Sequence, residues 1–341
     1  MSETVEHCQV AIVGAGPVGL FAVFELGMLE IEAIVLDVLD DVGGQCTALY
    51  PEKPIYDIPG FPRIDAGDLV ERLAAQARPF RPRYRLGRRI VGLEPMADGG
   101  WRLEAEGGTR VEARAVIVAA GGGAFGPNRP PLAGIEAYEG RGVQYYVRRR
   151  EDFRGKRVVI AGGGDAAVDW ALSLAELASR VYVVHRRDKF RALPESVAAL
   201  RRLAASGAVV ELVIPYQLAG LEGSGAALEA VVVATLDGEE RRLEADVLLP
   251  FFGLATDPAA LAGWGLELDG GRIVVDPASC EASARGIFAI GDIASYPGKL
   301  KLILSGFAEA AQAAHAIHRI VRPDRELHFE YSTTKGLPAE S

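Results

Sequence analysis

The chain has 341 residues, 49% of them hydrophobic and 24% charged, and a formal net charge of −9. That length accommodates two ordinary domains, each burying its own core, and the composition is globular rather than disordered or fibrous. The negative balance argues against nucleic acid as the main partner, although local basic patches can still meet an acidic protein.

Three cysteines, Cys8, Cys46 and Cys280, lie far apart and form no CxxC, which excludes a disulfide framework or structural zinc site and fits a reducing, cytoplasmic compartment. The opening MSETVEHCQV is polar, carries no signal-peptide pattern and runs straight into a strand. No apolar run is long enough to span a bilayer, so no membrane association is expected.

Val10 to Val13 reads as a buried strand entering Gly14-Ala15-Gly16-Pro17-Val18-Gly19, then a helix, then Ile34-Val35-Leu36 closed by Asp37. Glycines at such a turn let the backbone approach a pyrophosphate, which sits on the free N–H groups of the helix start. The acid ending the second strand holds a ribose 2′-hydroxyl. Residues 42–62, VGGQCTALYPEKPIYDIPGFP, keep no steady period and read as a long functional loop. Tyr50 in that loop is either a platform for a flat heterocycle or a core tyrosine with a satisfied hydroxyl.

Asp68 to Ala77 predicts a helix with Leu69, Leu73 and Ala77 on one face, and 89–93, 101–105 and 109–113 alternate like strands of a small antiparallel sheet. A separate buried strand, 115–120, runs into the glycine-proline stretch 121–127, read as an interdomain crossover. Arginine-rich runs at 78–89 and 148–157 are either solvated faces or docking patches for an acidic partner.

The first pattern then recurs. Val158 to Ala161 enters Gly162-Gly163-Gly164-Asp165-Ala166-Ala167, a helical segment follows with Val168, Leu172, Leu174 and Leu177, and Val181 to Val184 forms the second strand. The spacing from Gly162 to His185 equals that from Gly14 to Asp37. Here the second strand ends on His185-Arg186-Arg187, with Arg191 one helical turn further. Cations there suit a 2′-phosphate, so the ligand inferred is NADP(H). One carboxylate ending and one cationic ending imply two different dinucleotides.

A helix over 194–205 and alternating segments at 209–214, 228–235 and 241–243 complete the second domain, and 246–253 reads as the returning crossover. Strands at 272–275 and 286–290 follow, the latter ending on Gly291-Asp292, and then a helix over 305–320. A carboxylate at that strand end bonds the polyol hydroxyls of a flavin's ribityl chain, and the helix turns its positive end toward the ring. The polar tail 322–341 contains His328, Phe329 and Tyr331, aromatics that imply part of it packs. The expected division is an FAD-binding domain of 1–122 and 250–341, with 322–341 as a C-terminal extension, and an inserted NADP(H)-binding domain of 123–249.

GAGPVGLF (14–21), GGQCTALYPEKPIYDIPGFP (43–62), GGGDAAVDWAL (162–172), VHRRDKFRA (184–192), AIGDI (289–293) and GFAEAA (306–311) occur in this order over nearly the whole chain. Together they resemble the thioredoxin-reductase-like (type 2) ferredoxin–NADP reductases. The resemblance implies an α/β fold of two Rossmann-like, three-layer ββα domains with the NADP domain inserted into the FAD domain, a homodimer, and ferredoxin as partner. It implies hydride passing from NADPH to flavin N5, then single electrons to an iron-sulfur protein.

Carried onto this sequence, it implies FAD contacts from Gly14, Gly16, Pro17, Gly19, Asp37, Gln45, Tyr50, the backbone of Ile90, Phe125 and Asp292. Tyr331 of the partner subunit, with Thr333 nearby, would stack on the flavin face opposite Tyr50, with Phe329 as the alternative. NADP(H) contacts would come from Gly162, Gly163, Gly164, Asp165, Ala166, His185, Arg186, Arg187 and Arg191. Hydride transfer requires no side-chain acid, base or nucleophile and no metal, only position and electrostatics.

Thioredoxin reductases share the scaffold but carry a redox CxxC just before the second fingerprint. This chain reads Gly142-Val-Gln-Tyr-Tyr-Val147 there, leaving dithiol chemistry no sulfur. Other acceptors (flavodoxin, a quinone, a separate disulfide protein), or an NADPH-sensing flavoprotein, are the rival readings.

Overall fold

The computed structural model describes residues 5–122, 125–225, 227–256, 261, 263–325, 327 and 336, with backbone alone at 125–127 and 254–256. It divides into two units, Met1–Phe125 with Thr256–Ser341, and Gly126–Ala255.

The discontinuous unit is built on a seven-stranded sheet. Arg83–Arg85, Ala33–Leu36, Val5–Val13 and Thr109–Val118 lie parallel in that order. Ile287–Ala289 pairs in parallel with the C-terminal half of Thr109–Val118, while Trp101–Ala105 and then Ile90–Pro95 pair antiparallel off its N-terminal half. The antiparallel strands are therefore an arm of the main sheet and not a separate one. Nothing between Ala113 and Ala115 breaks the chain: Arg114 points to water while its neighbours are buried, so the two segments read apart in the sequence form one continuous strand.

Alternation along these strands gives the sheet two covered faces. Val10, Ile12, Val35, Ile117 and Phe288 meet the helices Pro17–Met28 and Ile303–Val321 through Ala22, Val23, Leu26, Ala310, Ala314 and Ile317. Ala11, Ile34, Leu36, Val116 and Val118 meet Ile90, Trp101, Leu103, Ile273 and Ile293 on the other side. The stretch 42–62 is less irregular than its sequence implies. It holds the short helix Gln45–Ala48 and the strand Pro54–Ile55, paired with Ile64–Asp65. Cys46, Ile58 and Ile64 form a small core with Leu20, Leu69 and Leu73, the last two on the helix Ala66–Ala77.

The continuous unit carries four parallel strands in the order Val210–Val213, Arg180–Val184, Arg157–Ala161 and Val247–Pro250. A three-stranded antiparallel sheet of Gln217–Ser224, Ala227–Ala234 and Glu240–Glu244 packs onto it, with Val159, Ala161, Val184 and Leu248 meeting Val231, Val233 and Leu243. The helix Asp165–Leu174 buries Val168, Ala171 and Leu174. Val247–Pro250, expected as part of a crossover, is a strand of this sheet: buried throughout, it shows no alternation by which to tell it from a linker. Both units are thus Rossmann-like α/β folds.

Candidate cofactor sites

The first strand ends at Gly14, whose φ of +113° an L side chain rarely adopts and whose missing Cβ would overlap the Ala119 carbonyl. A Cβ at Gly19 would in turn overlap the Gly14 carbonyl. These two glycines serve the close packing of strand and helix, and Gly19 does not face the cavity beside them. Gly16 differs, for a Cβ there would meet nothing within 4 Å and the residue lines the cavity. Gly16 is the N-cap of Pro17–Met28, Pro17 occupies the first turn, and no side chain caps the helix. Its first N–H groups are thus left for an anion.

The cavity has a volume of about 330 Å³. Of the residues expected at FAD, it brings together Gly14, Gly16, Pro17, Asp37, Gln45, Tyr50, Ile90 and Asp292. Asp37 stands just past the second strand and is 9% exposed. Its Oδ2 accepts the Ala15 N–H at 2.6 Å and its Oδ1 the Leu39 N–H at 2.8 Å, which ties the glycine turn to the strand end. Burial pushes this carboxyl above its ordinary range, against the pull of those N–H bonds.

Tyr50 is half-buried; burial, then the neighbouring Cys46 and Asp292, push its hydroxyl well up, so it stays a neutral donor. Burial likewise raises the Cys46 thiol to about 11, which keeps it protonated and inert. Of Phe125 only the backbone is described, and Phe329, Tyr331 and Thr333 lie outside the described residues. Sequence reasoning missed Leu261 and Trp264, which line the cavity and share a core with Ile90, and Lys301 beside the helix Ile303–Val321. A lone tryptophan in a glycine-rich stretch carries no periodic signal that would mark it.

In the continuous unit the glycines divide similarly. Gly162 takes φ +154° with the Phe251 carbonyl 2.7 Å from where a Cβ would sit, whereas a Cβ on Gly164, the uncapped N-cap of Asp165–Leu174, would meet nothing within 4 Å. Gly163 lies against the His185 ring, which a Cβ there would strike. The segment 185–193 is not the helical turn expected but a loop folded back onto the glycines. Arg191 donates its N–H to the Gly163 carbonyl at 2.7 Å, the Leu193 N–H donates to Asp165 Oδ1 at 2.9 Å, and His185 leans on Phe190 with ring centroids 5.1 Å apart. Asp165 therefore anchors this loop, while Ala166 is exposed on the first turn of the helix. Burial, and then Arg191, Arg186 and Arg187, hold the His185 imidazole below its ordinary value. At neutral pH the positive charge of this strand end thus comes from the arginines.

The contact at Gly163 can be tested directly. Gly163→Ala is expected to displace His185 and strain the folded chain by about 0.5–1.5 kcal/mol, lowering its melting temperature by a few degrees and weakening NADPH binding through the displaced strand end. Equilibrium titration alongside a thermal scan checks both.

Among the described residues no helix is long and apolar enough to cross a membrane, and no group of three or more His, Cys, Asp or Glu is placed to hold a metal. All three cysteines lie in the discontinuous unit.

The chain matches the family model of the pyridine nucleotide-disulphide oxidoreductases over residues 8–317. It is 63% identical over 330 residues to a ferredoxin–NADP reductase of Paramagnetospirillum magneticum, covering 97% of this chain and 98% of that one. It is 61% identical over 339 residues to a ferredoxin–NADP reductase of Acidiphilium cryptum, covering 99% of each. Among solved structures, the thioredoxin reductase of T. acidophilum is similar at a TM-score of 0.76 and 26% identity, over 92% of this chain and 98% of that one.

Proposed function

Since the chain belongs to the pyridine nucleotide-disulphide oxidoreductase family, and within it to the ferredoxin–NADP reductases, we propose that it carries electrons between NADPH and ferredoxin through bound FAD. The observation that carries the reading is the pair of glycine turns whose following strands end differently, on a buried carboxylate in one unit and on arginines in the other. The cysteine-free Gly142 to Val147 stretch removes the dithiol route.

The residues of the first cavity fit FAD: an open glycine at an uncapped helix start for the pyrophosphate, a pinned carboxylate for the ribose, and a half-buried tyrosine beside Asp292 for the ring and its chain. The chemistry FAD would supply there is acceptance of a hydride and release of single electrons, as an iron-sulfur protein requires. The protein's share is positional. Gly14, Gly16, Pro17 and Gly19 shape the pyrophosphate turn, and Asp37 takes the adenosine ribose. The Ile90 backbone would meet the adenine edge, Gln45 and Asp292 would take the polar parts of the flavin, and Tyr50 would stack on it.

In the other unit Gly162, Gly163 and Gly164 with Ala166 receive the NADPH pyrophosphate, Asp165 and His185 shape the loop, and Arg186, Arg187 and Arg191 take the 2′-phosphate. The working form is a cytoplasmic homodimer of a 1–122/250–341 FAD domain and a 123–249 NADP domain.

Anaerobic titration of the purified protein with NADPH in the presence of a ferredoxin tests this. Yellow protein, bleaching of the flavin, and catalytic reduction of the iron-sulfur chromophore are expected. A colourless protein unable to retain FAD would overturn the reading, and turnover with a disulfide protein but not ferredoxin would move it to another acceptor.

A further inference from the structure

The helix Ile303–Val321 carries a carboxylate that electron transfer leaves without a task. Glu309 is 2% exposed, and a buried carboxylate is costly unless paired and fully hydrogen-bonded. Here it is both. Lys299, its side chain 6% exposed, forms an ion pair with it. The Tyr296 hydroxyl donates to Oε1 at 2.6 Å and the Gly291 N–H to Oε2 at 2.7 Å. Tyr296 stays a donor because burial and the carboxylate both hold its proton on.

These partners belong to segments that border one end of the FAD cavity. Gly291 opens the turn Gly291–Ile293, and both Gly291 and Asp292 line that cavity. Tyr296 and Lys299 lead into Lys301, Leu302 and Ile303, which line it too. Gly291 sits at φ +74°, a conformation that needs outside support to be unique. The helix comes close enough to give it because position 306 is glycine: a Cβ there would overlap Val18 and lie 3.3 Å from the Gly291 Cα. An ion pair this deep is a poor source of stability compared with apolar packing. Its distinguishing feature is that it specifies one geometry for three chain segments.

We propose that Glu309, held in place by Lys299, is a positioning residue for FAD: by accepting the Gly291 N–H it fixes the turn from which Asp292 faces the cavity. The proposal rests on the FAD reading, and its test separates the two. Three full-length variants, Glu309→Ala, Glu309→Gln and Glu309→Gln with Lys299→Met, are stripped of FAD. Amide exchange at Gly291 and the FAD dissociation constant are then measured.

Glu309→Ala removes the acceptor, so exchange at Gly291 quickens by about tenfold or more and FAD affinity falls by a similar factor, the range for one hydrogen bond to a charged group. Val158 to Ala161 of the other unit keep their native exchange. Glu309→Gln leaves Lys299 without its counter-charge and also loses affinity. The double variant keeps a carbonyl for Gly291 and removes the stranded charge, and recovers affinity to within about threefold of native. A loss due merely to damaged packing would not be rescued.

Native exchange and native FAD affinity in Glu309→Ala overturn the proposal, as does a double variant that protects Gly291 yet binds FAD as weakly as Glu309→Gln. Should Glu309→Ala fail to fold, the comparison of Glu309→Gln with the double variant decides alone. If the native chain takes up no FAD, the FAD reading falls, and the Gly291 exchange rates still decide whether Glu309 holds the turn.

Discussion

Replacing Arg186 and Arg187 together by alanine is expected to weaken NADPH binding by about 100-fold while NADH binding changes less than about threefold. A hydrogen bond to a charged group contributes about 1.5–3 kcal/mol. For two exposed side chains the lower end applies, about 3 kcal/mol together, because water and salt screen them. NADH lacks the 2′-phosphate and has nothing to lose there. Both arginines are exposed on the loop that Arg191 and Leu193 anchor through backbone N–H groups, so the loop survives and folding stability stays within about 0.5 kcal/mol. Apparent affinities for the two nucleotides from flavin reduction in stopped flow provide the check. An equal loss for both would remove the 2′-phosphate from the account.

Asp37→Ala is expected to cost more and to act on both stability and FAD. The carboxylate accepts two N–H groups, from Ala15 and Leu39, and is nearly buried. Leaving both donors without a partner costs about 2–4 kcal/mol at about 1–3 kcal/mol each, the smaller figure applying where water reaches them. FAD affinity should fall more than about 100-fold, since the ribose loses its charged acceptor and the pyrophosphate turn its tether. Thermal melting of the FAD-free chain and FAD titration measure the two effects separately.

The same residue predicts a pH dependence. Burial raises the Asp37 pKa in the folded chain above its unfolded value of about 3.9. The FAD-free protein therefore has this contribution in full below that value and loses it as the pH rises through the folded pKa. Asp37→Asn, neutral at every pH, should flatten that segment of the stability profile. An unchanged slope would mean the carboxylate is as well accommodated in the folded chain as in the unfolded one.

Legibility in the sequence followed from how local each constraint is. The two glycine turns could be read because a positive φ is a demand of the residue itself and because Asp37 and the arginines follow at equal spacing, although the Cβ clashes at Gly14 and Gly162 are with Ala119 and Phe251, far along the chain. The helix Pro194–Ala205 was predicted to the residue, since a proline at its first position marks the start. Val247–Pro250 was not recognised as a strand, because being buried on both faces erases the period that identifies one.

The fold-back of 185–193 depends on Arg191 and Leu193 meeting Gly163 and Asp165, a tertiary contact that no spacing rule encodes. Leu261 and Trp264 reach the cavity through a core they share with Ile90, far away in the chain. Glu309 was visible only as a charge in an otherwise small and apolar run.

The strand Thr109–Val118 pairs on one edge, from Arg110 onward, with Val5–Val13, whose following turn abuts Ala119, and on the other edge along its first half with the arm that presents Ile90. Two parts of one pocket's lining are therefore measured off a single rail. An extra residue near Thr109 would turn the arm by one step, swinging Ile90 outward while leaving the glycine turn intact. The fit for the nucleotide's base and the fit for its phosphates are set by the residue count of that strand, so evolution can retune the first through the arm without disturbing the second.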